Sequence, residues 1–152
     1  MQKTYYSWEQ FDKDCERLAS WARHFDFANV YGIPRGGLMI AVRLSHLLDI
    51  PLITDENDID SHDTLVLDNM AFTDSKVHDM EERLGDLIIA TLIWSDDSPE
   101  PDYYCRKKDG HIVFPWERRS DDFLERSFGK SFATSDKMKI RGTIRINKRG
   151  LA

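Results

Sequence analysis

The sequence lacks any uninterrupted apolar stretch near the roughly 20 residues that a membrane-spanning helix requires. Its N-terminus also lacks the basic and apolar regions of a secretory signal, so we expect a cytoplasmic protein with no membrane partner. Cysteine is scarce: Cys15 and Cys105 lie far apart, without metal-type spacing or a nearby histidine cluster. We therefore predict two buried free thiols rather than a disulfide framework.

Apolar side chains are nevertheless abundant enough for one folded domain. The 152 residues are 41% hydrophobic and 32% charged, which is typical of a globular protein. Residues 118–152 hold ten Lys and Arg against four Asp and Glu, a net charge of +6, which leaves −12 for the preceding residues. Such a tail either folds over the acidic body or contacts an anionic partner. The first alternative needs fewer assumptions, so nucleic acid is not the expected partner.

Strand and helix patterns alternate along the first two thirds of the chain. An amphipathic helix is predicted at about residues 8–24, and the almost continuously apolar residues 38–48 predict a helix packed on a sheet. A third helix is predicted before Gly85, with Val77, Met80 and Leu84 on one face. Short apolar runs predict strands at residues 29–33, 50–54, 65–67, 87–94 and 111–114. This alternation predicts an α/β fold with a parallel sheet. In such sheets ligands bind beyond the carboxyl ends of the strands.

The first strand-to-helix junction predicts a phosphate site. The apolar run that begins at Val30 ends in Pro34-Arg35-Gly36-Gly37. Arg35 offers a guanidinium beside two glycines, where bare backbone can approach a ligand closely. A helix that begins there directs free N–H groups at an anion. A phosphate or diphosphate is the ligand that this junction suits.

A second junction follows the apolar run Leu65-Val66-Leu67 and carries Asp68-Asn69. If both strands belong to one parallel sheet, Asp68 lies at the same edge as Arg35. Thr73 or Asp74 can then cap the next helix. This edge is therefore the predicted functional site.

These residues resemble the type I phosphoribosyltransferases, most closely the xanthine–guanine branch of the purine salvage enzymes. Ile33 to Leu38 resembles the pyrophosphate loop, and Leu65 to Asn69 the strand that enters the phosphoribosyl diphosphate motif. Further matches, in the family's order, are Tyr6-Ser7-Trp8, Ala90 to Trp94, Pro101 to Tyr104 and Ile112 to Glu117. The resemblance implies a parallel-sheet, Rossmann-like domain over residues 1–117, with a small hood that covers the base. Residues 118–152 then form a basic C-terminal extension, which can pack on the core.

The resemblance implies transfer of ribose 5-phosphate from phosphoribosyl diphosphate to a purine base, with release of pyrophosphate. It implies Mg²⁺ as cofactor and Asp68 as its ligand, and we expect a homo-oligomer. Asp68 and Asn69 take the places of the two catalytic ribose-binding acids. The implied substrate-binding residues are Arg35, Gly36 and Gly37 for the diphosphate, Thr73, Asp74, Ser75 and Lys76 for the 5-phosphate, and Ser95, His111, Ile112 and Trp116 for the base.

Several of these positions depart from the family's pattern. Asn69 replaces an acid, Phe72 an aspartate and Asp74 the loop glycine, while Ser95 replaces a lysine and His111 an aromatic residue. The segment between Pro51 and Thr64 is also short for the lid that closes over the reaction. These changes support an alternative, a catalytically impaired relative that binds a nucleotide or phosphate ligand in a binding or regulatory role. A third interpretation makes the basic tail a nucleic-acid or protein contact.

Overall fold

The computed structural model describes residues 2–71 and 75–118. The chain divides into two compact units, Met1–Ile112 and Val113–Ala152, and the second is described only as far as Arg118. No helix of the described residues is long and apolar enough to cross a membrane. The sequence-based predictions of a helix around residues 123–128 and a late hairpin around 138–146 lie outside the described residues.

The first unit is built on a five-stranded parallel sheet. Its helices are α1 (Trp8–Ala22), α2 (Gly36–Leu48) and α3 (Ser75–Leu84). The strands, in chain order, are β1 (Lys3–Tyr5), β2 (Asn29–Gly32), β3 (Leu52–Ile53), β4 (Thr64–Met70), β5 (Ile88–Trp94), β6 (Tyr103–Lys107) and β7 (His111–Val113). The five-stranded sheet has the order β3-β2-β4-β5-β6, and β1 pairs separately with β7. The predicted α/β fold with a parallel sheet is confirmed.

Helix α1 begins where the sequence predicts. Ser7 accepts a hydrogen bond from the Gln10 amide at 3.0 Å, and its own amide donates to the Gln10 side chain at 2.8 Å. This reciprocal capping satisfies two N–H groups that a helix start leaves without partners. The apolar face buries Phe11, Cys15, Leu18 and Ala22 as the spacing predicts, and it also buries Asp14.

The core fills both sides of the central strands. Val30, Leu65 and Leu67 are fully buried in β2 and β4, as Leu92 is in β5. One cluster combines strand residues with Met80 of α3, its other buried members being Tyr31, Ile33, Ile59, Val66 and Leu87. Burying these side chains stabilises the fold by roughly 1.5–3 kcal/mol each. The core thereby fixes the edge of the sheet where β2, β4 and β5 end.

Both cysteines are buried free thiols, as predicted. Burial raises the pKa of Cys105 to about 12, and burial also raises the pKa of Cys15. Thiols held in their protonated form are poor nucleophiles. Cys15 and Cys105 therefore serve packing rather than covalent chemistry.

Two strands have no counterpart among the sequence-based predictions. These are β1 and β6, and β6 completes the parallel sheet beside β5. Other predicted elements shift by a few residues: β4 extends from Thr64 to Met70, and α2 begins at Gly36 rather than at Leu38. The proposed caps of α3, Thr73 and Asp74, lie outside the described residues.

Candidate active site

The loop between β2 and α2 is packed tightly onto β4. The Ile33 amide donates to the Leu67 carbonyl at 2.9 Å, and the Gly37 amide donates back to the Ile33 carbonyl at 2.9 Å. The peptide bond between Pro34 and Arg35 is cis. The two hydrogen bonds hold the start of α2 directly beside the strand that carries Asp68.

Close packing leaves no room for a side chain at Gly37 and little room at Gly36. A Cβ added at Gly37 would lie 2.2 Å from the Leu67 carbonyl oxygen, which is a backbone atom. A Cβ added at Gly36 would lie 2.5–2.7 Å from three side-chain atoms of Asn69. Both distances are far shorter than a van der Waals contact. The approach of the loop to β4 thus accounts for the two glycines after Arg35.

The start of α2 is open to an anion. No side chain caps the helix, and Arg35 at its N-cap position is exposed. The Gly37 and Leu38 amides of the first turn already donate to the Ile33 and Arg35 carbonyls, while the helix dipole favours negative charge at this end. The structure places Arg35 at the start of α2, and the binding of a diphosphate there stays a prediction from the sequence.

Asp68 and Asn69 follow one another in β4 but lie in different surroundings. Asp68 is half-buried, and its Oδ1 accepts the Asn69 amide at 2.8 Å. Asn69 is only 6% exposed, and its side chain lies against Gly36. Successive side chains of a strand point to opposite faces, which explains the contrast. The structure therefore places Asp68 at the partly open position and uses Asn69 to support the loop.

The predicted 5-phosphate loop is described only at its end. Ser75 is the first residue of α3, and Lys76 follows as an exposed residue. Thr73 and Asp74 lie outside the described residues, as does Phe72. The role of this segment stays a prediction from the sequence.

The predicted base-binding residues lie on separate elements. Ser95 follows β5, and its hydroxyl donates to the Asp97 carboxylate, which lowers the pKa of Asp97. His111 is exposed in β7, and its amide donates to the Gln2 carbonyl at 3.1 Å, whereas Ile112 is buried. Trp116 lies in the second unit, in the 3-10 turn Pro115–Glu117, and stacks on Phe114 at 4.9 Å.

A cavity of about 250 Å³ lies at the carboxyl ends of β5 and β6. It brings together residues of β5 and β6, Ile112 of β7 and residues next to the start of α1. Among its lining residues are Tyr5, Tyr6, Ile93, Arg106, Lys107 and Ile112. Ser95 and His111 are not among them. Three of the residues predicted to contact the base lie in the first unit, and Ile112 alone of these three lines the cavity.

One wall of this cavity is fixed by a buried carboxylate. Asp14 of α1 is fully buried and accepts the Tyr6 hydroxyl at 2.5 Å. It also accepts hydrogen bonds from Nε and Nη2 of Arg106 in β6, at 2.6 and 3.0 Å, so the ion pair is bidentate. Burial and the hydrogen bond to Asp14 raise the pKa of Tyr6 well above its usual range. Tyr6 and Arg106 are therefore held in fixed positions.

Strand β6 contributes to this site in a way that the sequence patterns did not reveal. In the sheet register Lys107 lies opposite Trp94, which is the residue before Ser95. The Lys107 ammonium lies 4.7 Å from the centroid of the Trp94 ring and 2.9 Å from an Asp96 carboxylate oxygen. If residues 103–107 had been predicted as a strand parallel to β5, Lys107 would have been expected near Ser95. The mixed polar and apolar composition of this edge strand conceals that pattern.

The described residues contain no group of three or more side chains suited to holding a metal by themselves. Asp68 supplies one carboxylate at the site. Mg²⁺ is commonly held by one or two carboxylates together with substrate phosphates and water. The donor set is therefore compatible with a magnesium ion that arrives with a diphosphate, but not with a closed protein cage.

Solved structures of known proteins share this fold. The chain is similar to a purine phosphoribosyltransferase from Pyrococcus horikoshii, at 32% identity and a TM-score of 0.68, over 78% of this chain and 96% of that one. A Helicobacter pylori xanthine-guanine-hypoxanthine phosphoribosyltransferase matches at 18% identity and a TM-score of 0.65, over 76% and 94% of the two chains. A hypothetical protein from Neisseria gonorrhoeae with bound ppGpp matches at 17% identity and a TM-score of 0.66, over 88% and 97%.

These matches cover almost the whole length of the solved chains. No protein-family model matches the sequence, and no curated protein matches it. The identity to the Pyrococcus protein nevertheless extends over more than three quarters of this chain and nearly all of that one. The chain therefore belongs to the purine phosphoribosyltransferases of the type I fold.

Proposed function

We propose that this protein transfers ribose 5-phosphate from phosphoribosyl diphosphate to a purine base and releases pyrophosphate. The observation that carries the proposal is the packing of Gly36 and Gly37 onto Leu67 and Asn69, next to Asp68. This packing supports the proposal because it brings the start of α2, where an anion is favoured, against Asn69, the residue after the half-buried Asp68. Diphosphate and ribose are the two adjacent parts of the donor substrate that such a pair of groups would bind.

In the proposed reaction the bond between ribose C1 and the diphosphate oxygen breaks, and its electron pair leaves with pyrophosphate. Arg35 and the N–H groups at the start of α2 stabilise the negative charge that grows on the leaving group. Asp68 orients the ribose hydroxyls and offsets the positive charge that develops on the ring. A purine nitrogen forms the new bond to C1, and the base loses its proton to water.

Asp68 is the residue that would hold Mg²⁺, together with oxygens of the substrate. When bound, the ion neutralises charge on the diphosphate. Cytoplasmic placement is part of the proposal, since two free thiols suit a reducing compartment. Homo-oligomerisation is supported by the exposed apolar residues Leu38, Met39 and Val42 on α2.

The proposal is tested by measuring pyrophosphate release with phosphoribosyl diphosphate, Mg²⁺ and guanine, xanthine, hypoxanthine or adenine in turn. We expect turnover with at least one base. Arg35→Ala should lower kcat/KM by roughly 100-fold, because a charge-assisted contact to the leaving group is lost. The matched control is Arg43→Ala, on the same helix, whose guanidinium pairs with the exposed Asp12. It should retain full activity.

A second candidate function is nucleotide binding without turnover. It is favoured by Asn69, where a neutral, buried amide takes the place of an acid and serves to support the loop. The Neisseria protein of the same fold carries bound ppGpp, which is a diphosphate-bearing nucleotide. Tight binding of a guanosine nucleotide, with no release of pyrophosphate from phosphoribosyl diphosphate in the presence of any base, would establish this second function. The Arg35→Ala variant should then lose binding rather than rate.

A further inference from the structure

Strand β7 carries two of the residues predicted to contact the base, His111 and Ile112, but it lies outside the five-stranded sheet. Among the described elements it pairs with β1 alone. The His111 amide donates to the Gln2 carbonyl at 3.1 Å, and a Cβ added at Gly110 would lie 2.9 Å from the same carbonyl oxygen. The position of β7 therefore depends on what holds β1.

Two chain connections of the β1–β7 pair lead to residues that bind Asp14. Tyr6 directly follows β1, is buried, and donates its hydroxyl to Asp14 at 2.5 Å. Residues 108–110 join β6 to β7, and Arg106 of β6 donates to Asp14 from Nε and Nη2. One carboxylate on α1 thus anchors the chain next to both strands of the pair.

Stability alone does not explain why a carboxylate is buried at Asp14. The side chain is fully buried, and its second charged neighbour is Arg17, at 3.6 Å. Taking a carboxylate out of water is costly, and apolar residues of similar size often stabilise a fold as well as a buried ion pair does. Hydrogen bonds are directional, however, so a carboxylate that binds Tyr6 and Arg106 fixes where these two residues lie.

The positions of Tyr6 and Arg106 matter for the site because both line the cavity at the ends of β5 and β6. Tyr5 of β1 and Ile112 of β7 line the same cavity. A shift of β1 and β7 away from the five-stranded sheet would therefore change both the width of this cavity and the place of Ile112.

We propose that Asp14 is a positioning residue that, through Tyr6 and Arg106, holds β7 where His111 and Ile112 contact a purine base. This role rests on the proposed function, because it assumes that the base binds against β7. Asp14 then affects how tightly any accepted base is bound, and not which base is chosen.

The test uses Tyr6→Phe in the full chain, because this change removes one hydroxyl and keeps the ring. With phosphoribosyl diphosphate and Mg²⁺, the KM for an accepted base should rise roughly 10-fold, while kcat at saturating base is retained. This is less than the cost of about 100-fold for a 1 Å displacement, since Arg106 still binds Asp14. The KM for phosphoribosyl diphosphate should not change, because Arg35 and Asp68 lie on other elements.

Leu18→Ala is the matched control for a loss of stability. Leu18 is fully buried on the same helix, so its truncation should lower the thermal midpoint at least as much as Tyr6→Phe does. It should leave the KM for the base unchanged. Asp14→Asn should raise this KM, and the double variant Tyr6→Phe with Asp14→Asn should raise it by less than the product of the two single effects, since both changes act on one contact.

Hydrogen exchange of the His111 amide, measured by NMR, follows β7 without turnover. It should be roughly 10-fold faster in Tyr6→Phe and unchanged in Leu18→Ala, because local opening governs exchange at such an edge. If the KM for the base rises no more in Tyr6→Phe than in Leu18→Ala, the role assigned to Asp14 is wrong. If no base is turned over, the proposed function fails, and the exchange rates decide separately whether Asp14 holds β7.

Discussion

Replacing Gly37 by alanine is expected to lower the affinity for pyrophosphate by at least about 100-fold. The added Cβ would lie 2.2 Å from the Leu67 carbonyl oxygen, so the start of α2 must move away from β4. A displacement of about 1 Å in a positioned site commonly costs about 100-fold. Calorimetric titration with pyrophosphate and Mg²⁺ measures the effect. Arg43→Ala, on the same helix, should bind like the wild type, because its guanidinium pairs with the exposed Asp12.

Gly36 provides a sharper comparison, because the atoms facing it belong to a side chain. Gly36→Ala should also weaken pyrophosphate binding, since its Cβ would meet the Asn69 amide. Shortening that side chain in the double variant Gly36→Ala with Asn69→Ala removes the clash and should recover part of the affinity. Side-chain shortening cannot relieve the contact that Gly37→Ala makes with a backbone carbonyl. Near-wild-type binding by Gly37→Ala would mean that this loop does not hold the diphosphate.

Replacing Asp14 by alanine is expected to lower the free energy of unfolding by about 2–4 kcal/mol, because a buried ion pair loses one partner. Asp14 is fully buried and satisfies both Tyr6 and Arg106. Removing one partner of a buried ion pair typically costs about 3–5 kcal/mol. The Arg106 side chain is 39% exposed and can be hydrated when Asp14 is removed. We therefore expect a smaller loss of stability than for a fully buried pair. Urea unfolding monitored by circular dichroism measures the change.

Two further variants serve as controls for the loss of stability in Asp14→Ala. Asp12→Ala removes an exposed carboxylate from the same helix and should cost no more than about 1 kcal/mol. Tyr6→Phe removes a single hydrogen bond to the Asp14 carboxylate and should cost about 1.5–3 kcal/mol, the usual range for a hydrogen bond to a charged group. If Asp14→Ala were as stable as Asp12→Ala, the network would not hold β6 and the cavity wall in place.

Local sequence signals predicted the parts of the fold that short-range interactions determine. The capping box at Ser7 and Gln10 and the helical spacing behind it lie within a few residues of each other. The Arg35-Gly36-Gly37 loop was also predictable, because a glycine pair at the start of a helix is typical of a close approach by backbone or by an anion. These features needed no knowledge of distant neighbours.

The missed features depend on contacts between distant parts of the chain. The hydrogen bonds between Asp14 and Arg106 join residues 92 positions apart. A charged residue within the apolar pattern of α1 gave no indication of burial, since charged side chains are usually exposed. Strand β6 combines Tyr, Cys, Arg and Lys, and this composition does not alternate clearly between apolar and polar residues. Its position at the sheet edge, and with it the placement of Lys107, became visible only in the register with β5.

In the candidate site, too, local sequence signals predicted some features, whereas others depend on contacts between distant parts of the chain. The sequence predicted that the strand ends at Asp68, whereas the structure includes both Asp68 and Asn69 in β4, which continues to Met70. Their different surroundings follow from the packing of the β2–α2 loop, which brings Gly36 against Asn69. That packing explains why an uncharged amide is accommodated where the family's pattern has an acid: a buried carboxylate there would carry a desolvation cost without an obvious cation.

A crystal structure with phosphoribosyl diphosphate and Mg²⁺ tests the proposed binding mode most directly. Density for the diphosphate is expected against Arg35 and the start of α2. The ribose hydroxyls or the metal should lie within coordination or hydrogen-bond distance of Asp68. Density for the ligand at another surface, with the β2–α2 loop and Asp68 untouched, would contradict the proposal.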